Sequence, residues 1–464
     1  MTDLPRPSQA ELSREFADTV TACAPLSAHT SLDVPAGQVW VRAGSLLASG
    51  QRLAMIAAHR DGATVGGPWL RVVYVFTSGP PARVTELHVR IRPGRPFIPT
   101  LAGLSASAAL FEADIAGAHG VVFCDPPPHG PLPAGLAHAS ARRRKVPRSR
   151  HGDLDELRRD PGLLAARIST GTDTPVGHTL AYVMAVEDAC GRPVTREVAR
   201  RRAVLLELER MHSHLTDLGT LVQLAGHHAL HAQALRLRER LLRLNHLASG
   251  HRLLRGSVTL GGAVPLDGLD PAVVHSLAGY LAEFAADALN NARLRARLNG
   301  VAVLTATRAR DLGILGFIAR ASGVDNDTRR THPFTTHDDR TADCGPVNDQ
   351  GDALARFCVR ARELLTSAAI VADLTRTADT SPTGWPRTTT PTSATCGVGI
   401  VEGWRGAIVC RIELDARGTL TRLVTVDPSY LNATVTAAVD DTVASRDQTL
   451  ARRSLHTLTE GYDL

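Results

Sequence analysis

Short hydrophobic runs separated by glycine and proline characterise the first part of the chain. Clusters of β-branched and other apolar residues, the pattern of strands in a small sheet, occur at 39–41, 72–76 and 87–89. A helix-like stretch follows over residues 104–119, and three prolines at 126–128 end it. The pattern predicts a small α+β domain over residues 34–131, preceded by an N-terminal segment, residues 1–33.

The hydrophobic pattern then changes to that of helices. Apolar residues from Val204 to Val222 recur at three- and four-residue steps, which gives one apolar face of a long helix, and Thr195 is a capping signal at its start. Further helical stretches are predicted at 234–247, 269–298 and 352–374. Because such faces must pack against each other, we expect a helical bundle.

Polar and Arg-rich stretches interrupt this pattern. Residues 132–160 carry no period and are predicted to be a linker, and residues 325–351 and 375–396 are predicted to be loops. The alternating run over 408–426, with a central turn, predicts a terminal β-hairpin. The expected fold class is α+β, in which residues 161–464 form a mainly helical domain with a small C-terminal β element.

Composition excludes several classes of protein. A hydrophobic content of 44% and a charged content of 21% are those of a globular protein. The net charge of +6 is spread out except at residues 142–150, which contain no aromatic side chain, so no nucleic-acid partner is expected. No apolar stretch is long enough to span a bilayer and no signal peptide is seen, so a cytoplasmic location is predicted. The seven cysteines contain no Cys-x-x-Cys pair.

Several local strings are more specific than this pattern. Leu205–Gly219 resembles the signature helix of the catalytic large subunit of energy-converting [NiFe] hydrogenases and of its homologue in complex I, the 49-kDa-type subunit. The stretch Ala234–Gly262 is similar to the hydrogenase branch, and Ala319–Phe334 and Gly403–Gly406 resemble later family blocks.

Earlier strings resemble a second subunit. Phe97–Thr100 and Phe111–Ile115 are similar to the 30-kDa-type subunit of complex I, which some hydrogenases carry fused to the large subunit. The resemblance therefore implies a fused chain of the formate hydrogenlyase large-subunit type, with the 30-kDa-like domain at 34–131 and the large-subunit-like domain at 161–464.

The resemblance also implies where chemistry would occur, and those positions have changed. The family's nickel–iron centre is held by four cysteines, and the two positions of its first Cys-x-x-Cys are Gly171 and Thr174 here. In the complex I branch a histidine and a tyrosine bind a quinone, and the matching residues are Pro133 and Thr172. No metal site is therefore expected, and no cofactor is assigned to this chain itself.

Charged residues in the retained strings are candidates for docking a partner or for lying near its iron–sulfur cluster. They are Glu207, Arg210, His214, Arg255, Arg320, Arg329, Arg330 and His332. Arg210 and His214 lie one helical turn apart, and they either tune a partner's cluster or form a polar face satisfied by neighbouring helices. For the cluster from Arg320 to His332, solvated salt bridges are the simpler interpretation. Separately, His227 and His231 form an i, i+4 pair that could chelate a metal, a possibility the sequence leaves open.

The resemblance implies a function as a subunit of an NADH–quinone-oxidoreductase-like or hydrogenase-like electron-transfer complex. The expected partners are an iron–sulfur small subunit and membrane subunits, which would hold this chain at the cytoplasmic membrane. NAD(H) or quinone would act at the level of the complex, and this chain would be an oxidoreductase subunit. The alternative is a non-catalytic structural or regulatory subunit that kept the docking surfaces and lost the active site.

Overall fold

The computed structural model describes most of the chain. The described residues are 28–61, 69–92, 94, 96–124, 157–335, 349–376, 394–440 and 443–456. Pro133, the basic run 142–150 and nearly all of the predicted linker lie outside these ranges, as does most of the predicted N-terminal segment.

A four-stranded sheet occupies the first part of the chain. Its strands are β1 (Ala28–Asp33), β2 (Arg52–Arg60), β3 (Leu70–Ser78) and β4 (Arg83–Ile91), in the order β1-β4-β3-β2. β1 pairs with β4 in parallel, and the other pairs are antiparallel. The strands predicted at 72–76 and 87–89 are confirmed as parts of β3 and β4.

The strand predicted at 39–41 is wrong, because these residues begin helix α1 (Val39–Ala48). Val39 and Ala43 are both fully buried and stand one helical turn apart, whereas Val41 is 62% exposed. In a strand, Val39, Val41 and Ala43 would all lie on one face, so the exposure of Val41 between two buried residues fits a helix instead. Packing thus outweighs the β-propensity of the two valines.

A helix and a two-stranded parallel sheet complete this part. Strands β5 (Phe97–Pro99) and β6 (Val122–Cys124) flank helix α2 (Ala106–His119), which confirms the helix predicted over 104–119. Helix α2 packs on β2 and ends at Gly120, whose φ of 70° is the left-handed conformation that glycine adopts without strain.

Helices dominate the middle of the chain, as predicted. The long ones are α3 (Pro161–Gly171), α4 (Pro175–Ala189), α5 (Arg196–Leu224), α6 (His228–Ser249), α7 (Pro271–Asn290) and α12 (Ala353–Leu374). Short helices between the last two are α8 (Ala292–Leu298), α9 (Ala306–Asp311), α10 (Gly316–Ala321) and α11 (Thr328–Thr331). A two-stranded hairpin, β7 (Val258–Thr259) and β8 (Gly262–Ala263), follows α6. Thr195 caps α5 as predicted, and α5, α6, α7 and α12 pack together as the expected bundle.

The chain closes on a second sheet. Strands β9 (Thr395–Gly403), β10 (Gly406–Leu414) and β11 (Leu420–Val426) are antiparallel in the order β11-β10-β9, which confirms the predicted hairpin and adds one strand to it. Helices α13 (Pro428–Asn432), α14 (Thr434–Asp440) and α15 (Gln448–Leu455) follow, and α15 packs on α5 and α12.

Ion pairs join the two sheets. Arg411 of β10 donates to both carboxylate oxygens of Glu86 on β4, at 2.8 and 2.9 Å, and Arg71 of β3 donates to Glu413 at 2.7 Å. The first and last parts of the chain are therefore in contact, and the predicted α+β fold class is confirmed. Within the described residues, no helix is both long enough and apolar enough to cross a membrane.

Candidate functional site

The turn between α3 and α4 contains the positions at which the resemblance places the family's chemistry. Gly171 is the last residue of α3, and α4 begins at Pro175. Thr172 and Thr174 are buried, at 4% and 2% exposure. The Thr172 hydroxyl lies 2.8 Å from His178 Nδ1 and accepts a hydrogen bond from the Thr174 backbone N–H at 3.1 Å. The Thr172 hydroxyl thus makes its hydrogen bonds within the turn and the start of α4.

The loop between β9 and β10 covers this turn. Trp404 Nε1 and Arg405 Nη1 both donate to the Thr174 hydroxyl at 3.2 Å, and Arg405 also pairs with Asp173. Gly316 permits the close approach of that loop, because a Cβ atom there would lie 1.9 Å from the Arg405 carbonyl oxygen. The hydroxyl of Thr174 is therefore a structural acceptor between two parts of the fold.

A hydrogen-bonded chain leads from the turn to the C-terminal segment. His178 Nε2 lies 3.1 Å from Asp427 Oδ2, so the imidazole connects the Thr172 hydroxyl to a carboxylate. Burial opposes ionisation of Asp427, but the hydrogen bonds from His178 and Ser429 and the nearby charge of Arg405 together outweigh it and hold the pKa of the carboxyl below its usual value. Asp427 also caps α13 by accepting the Ser429 N–H at 2.7 Å.

A cavity of about 230 Å3 lies where α2 and β2 meet the C-terminal segment. Its polar residues include His178, Asp427, Asp114 and Tyr430, and the tyrosine hydroxyl donates to Asp114. Its remaining wall is largely apolar and comes from β2, α2 and β11. The cavity is thus bounded by both the first and the last parts of the chain, with the His178–Asp427 pair on its wall.

Glu209 supports the turn from the side of α5. Its carboxylate accepts the backbone N–H groups of Val176 at 2.7 Å and Gly177 at 3.0 Å, which are free at the first turn of α4. Burial raises the pKa of this carboxyl to about 7, against the two hydrogen bonds that favour its charged form.

A buried ion network lies beside the site. Its members are Glu207, Arg210, His214, Arg320, Asp327, Arg329, Glu363 and Glu402. They come from α5, α10, α11, α12 and β9, and Asp327 is the residue that caps α11. Glu363 of α12 is central, because its carboxylate lies 2.8 Å from His214 Nε2 and 2.6 Å from Arg320 Nη2.

The network pairs each arginine with acceptors. Arg210 donates to Glu207 at 3.0 Å and to the carbonyl oxygens of Gly403 and Glu402 at 3.0 and 2.6 Å. Burial opposes the charge on Glu363, but Arg320 and the other cations hold its pKa well below the usual range. Removing one member of such a buried set typically costs about 3–5 kcal/mol, because it leaves a charge without its partner.

The structure places the predicted docking residues mostly inside the protein. Arg210, His214 and Arg320 are completely buried, and Glu207, Arg329 and His332 are 4 to 7% exposed. Arg210 and His214 bond to Glu207 and Glu363 of this chain. This agrees with the second interpretation above, in which neighbouring helices satisfy a polar face. A role toward a partner's cluster stays a prediction for them.

The interpretation of the cluster from Arg320 to His332 as solvated salt bridges is wrong for its buried members. Arg320 and Arg329 are paired inside the network, and His332 lies 3.4 Å from the Arg83 carbonyl oxygen at the start of β4. Only Arg330 pairs nearer the surface, with Asp325. The half-buried Arg255 follows α6, outside the network.

The histidine pair at 227 and 231 lies at the start of α6, where His231 Nδ1 hydrogen-bonds the Gly219 carbonyl oxygen at 2.8 Å. Among the described residues, the group with metal-ligand geometry is a different one, His29, Glu86 and Cys396. Metal binding by the pair His227 and His231 stays untested.

The residues at the turn do not fit a nickel–iron centre. Of the two positions that would supply thiolates, Gly171 has no side chain, and the hydroxyl of Thr174 accepts hydrogen bonds from Trp404 and Arg405. A neutral hydroxyl is a much weaker ligand than the soft thiolate that such metals favour.

Sequence reasoning did not single out three residues that organise the site. These are His178, Asp427 and Glu363, the last of which lies on a helix predicted from its apolar residues. The only sequence signal for Glu363 is a charged residue on the buried side of α12. Such a residue requires a partner, but the pattern does not tell which one.

The chain is similar in sequence to subunits of NADH-quinone oxidoreductase and of formate hydrogenlyase. The sequence profile of the family described as the 49 Kd subunit of respiratory-chain NADH dehydrogenase matches residues 225–398. NADH-quinone oxidoreductase subunit 4 of Thermus thermophilus is 34% identical over 203 residues, 42% of this chain and 48% of that protein. Formate hydrogenlyase subunit 5 of Escherichia coli is 30% identical over 201 residues, 42% of this chain and 35% of that protein.

The chain thus spans about half the length of the Thermus protein and about a third of the length of the Escherichia coli protein. A solved structure, that of the membrane-bound sulfane sulfur reductase, an archaeal respiratory membrane complex, has a chain of the same fold. It aligns with a TM-score of 0.59 and 23% identity over 69% of this chain and 90% of that chain. The resemblance to this family is confirmed, and residues 225–398 match the profile of the 49-kDa subunit of respiratory-chain NADH dehydrogenase.

Proposed function

We propose that this chain is a subunit of a membrane-associated electron-transfer complex, related to NADH–quinone oxidoreductases and to hydrogenases, in which it serves as a scaffold. It holds an iron–sulfur small subunit at the cytoplasmic face of the membrane and carries no nickel–iron centre of its own. The observation that carries this proposal is the closed turn, in which Trp404, Arg405 and His178 occupy the hydroxyls of Thr172 and Thr174.

The same turn argues against a tightly bound quinone headgroup at this place. The Thr172 hydroxyl already accepts from the Thr174 N–H and contacts His178, so a quinone carbonyl would have to displace those bonds. Each buried polar group left without its partner costs about 1–3 kcal/mol. NAD(H) or quinone would then act on other subunits of the complex.

The buried ion network supports a scaffold rather than a mobile catalytic element. It ties α5, α10, α12 and β9 together through groups that are nearly all shielded from solvent. Because each pair depends on the others for its charge balance, the elements are held in one arrangement. A rigid body of this kind suits a subunit whose surfaces must present a fixed geometry to partners.

Exposed apolar side chains on the outer helices are the proposed contact surface for the small subunit. Leu235 and Leu247 on α6 are 51 and 63% exposed, and Val273 and Tyr280 on α7 are 50 and 43% exposed. Arg240 of α6 stacks on the Tyr280 ring at 4.7 Å, so the two helices are neighbours. Apolar groups on adjacent helices are typical of surfaces that another protein covers.

The test is co-expression of this chain with an iron–sulfur small subunit encoded at the same locus, followed by size-exclusion chromatography with light scattering. We expect the chain alone to self-associate and the pair to elute as one complex. The double variant Leu235→Glu and Leu247→Glu should lose the complex, because charged groups replace the apolar contact.

The matched control is Val41→Glu on α1, which is similarly exposed at 62% and should leave the complex intact. A monodisperse monomer that the candidate partner leaves unchanged would contradict the proposal. Arg210→Ala and His214→Ala are poor surface probes, because both side chains are buried and their loss would act through folding.

A further inference from the structure

A cluster of potential metal ligands lies at the junction between the two sheets, away from the turn at 171–174. One nitrogen of His29, one carboxylate oxygen of Glu86 and Sγ of Cys396 all lie within 4.8 Å of one another. His29 is on β1, Glu86 on β4 and Cys396 on β9. Three segments far apart in sequence therefore direct ligand atoms to one point.

We propose that His29, Glu86 and Cys396 bind a zinc-type divalent cation that clips the first sheet to the C-terminal sheet. Zinc accepts this mixture of nitrogen, oxygen and sulfur ligands in a tetrahedral arrangement. With ordinary zinc–ligand bond lengths, tetrahedral ligands stand ~3.4 to 3.6 Å apart. Side-chain shifts of about 1 Å would bring the three atoms from their present separations to that distance.

A carboxylate lies on the other side of the His29 imidazole. Asp188, at the end of α4, has Oδ2 only 3.8 Å from His29 Nδ1. Its side chain is 16% exposed and that of His29 is 19% exposed, so an ion or a water molecule can reach the cluster from solvent. Asp188 would orient the imidazole by accepting from its Nδ1–H, and a water molecule would complete the tetrahedron.

The local charge balance favours a cation. Three carboxylates, those of Glu86, Glu413 and Asp61, lie around Arg411 and Arg71. A fourth, that of Asp188, faces His29, and two histidines, His88 and His59, also contact Glu86 and Glu413. The surplus of negative charge is available to an added divalent ion. Glu86 Oε1 accepts from Arg411 Nε at 2.8 Å and faces His29 Nε2 at 3.4 Å.

The hydrogen bonding of the His29 imidazole is incomplete. His29 Nε2 is buried and makes no hydrogen bond of normal geometry to another described residue. In the absence of a cation, a protonated imidazole between Glu86 and Asp188 would be the competing explanation of the same geometry. The two explanations differ in one respect, because only a metal site uses the thiolate of Cys396.

Cobalt(II) distinguishes them, because a cobalt–thiolate bond has a charge-transfer absorption that a carboxylate site lacks. The full chain is stripped with a chelator and titrated with Co2+, and we expect one equivalent to produce the thiolate band and the strong visible bands of tetrahedral cobalt. Zn2+ should displace the cobalt and raise the unfolding temperature, because it binds the folded state alone.

Cys396→Ser should abolish the thiolate band, and His29→Gln should weaken cobalt binding by roughly tenfold or more. The matched control is Cys358→Ser, because Cys358 is also half-buried but lies on α12. It should keep the band. His29 lies on a mostly exposed strand, so its replacement tests the site without disturbing the core.

Three outcomes would overturn the proposal: no thiolate band in the unaltered chain, a band that survives Cys396→Ser, or binding that is unchanged in His29→Gln. Circular dichroism of each variant, recorded before the titration, verifies that loss of the band is not loss of the fold.

Discussion

Glu112 is a buried carboxyl group whose titration links the stability of the first part of the chain to pH. It stands on α2 at 5% exposure, where it accepts hydrogen bonds from the Thr100 hydroxyl and from the Leu101 N–H at 2.7 Å. Burial raises its pKa from 4.5 to about 7, although the hydrogen bonds oppose that shift. Between pH 4.5 and about 7, therefore, the folded state keeps a proton that the unfolded chain has released.

For such a group, stability is highest below about pH 4.5 and falls as pH rises toward 7, because the folded state must then give up its proton. Glu112→Gln removes this titration. Relative to the unaltered chain, the variant should gain up to about 3 kcal/mol of unfolding free energy between pH 4.5 and 7.5. Urea denaturation at several pH values measures the difference.

Glu283→Gln on the exposed side of α7 is the control and should show no such trend. A pH-independent difference between Glu112→Gln and the unaltered chain would contradict the argument.

The sequence also could not predict which individual charged residues pair with each other. The long helices specify that Glu207, Arg210 and His214 share a helix, but the partner Glu363 lies about 150 positions away on α12. No local pattern encodes that pairing. The same limit applies to His29 and Cys396, whose neighbourhood exists only after the two sheets meet.

Helix α4 packs directly on strand β9, and glycine makes this contact possible. Cβ atoms added at Gly397 and Gly399 would lie 2.1 Å from the Ala185 carbonyl oxygen and 1.9 Å from that of Ala181. Small residues at four-residue steps on α4 thus face alternate glycines on β9. This contact places the turn at 171–174 beneath the loop that carries Trp404.

Gly399→Ala should lower the free energy of unfolding by at least ~2 kcal/mol, because a methyl group would force the backbones apart. Gly117→Ala is the matched control, since it lies on α2 with no atom within 4 Å of the added Cβ. It should be neutral or stabilising by about 0.5–1 kcal/mol, from helix propensity. Chemical denaturation of both variants tests this, and a Gly399→Ala protein as stable as the unaltered chain would contradict the packing argument.

Elements with strong periodicity were predictable, and elements fixed by their surroundings were not. The apolar face from Val204 to Val222 identified α5, and the alternating residues over 408–426 identified the hairpin. Helix α1 was mistaken for a strand, because Val39 and Val41 have β-propensity and only packing selects the helix.

The first and last parts of the chain share one apolar core, and charged and polar contacts join them as well. Arg411 and Glu86, Arg71 and Glu413, and the Tyr430–Asp114 hydrogen bond all cross between the first and last parts of the chain. The sequence resemblance predicted the order of these parts, with a 30-kDa-like part first. That division stays a proposal, and the contacts show only that both parts form one body.

The scaffold role is the central claim, and purification from the native host tests it most directly. An affinity tag on this chain, mass spectrometry of the chains that co-purify from solubilised membranes and elemental analysis of the preparation are required. We expect an iron–sulfur small subunit and membrane subunits in fixed proportion, with iron present and nickel far below one equivalent. Isolation of this chain without partners, or near-stoichiometric nickel that persists in Cys396→Ser, would contradict the account.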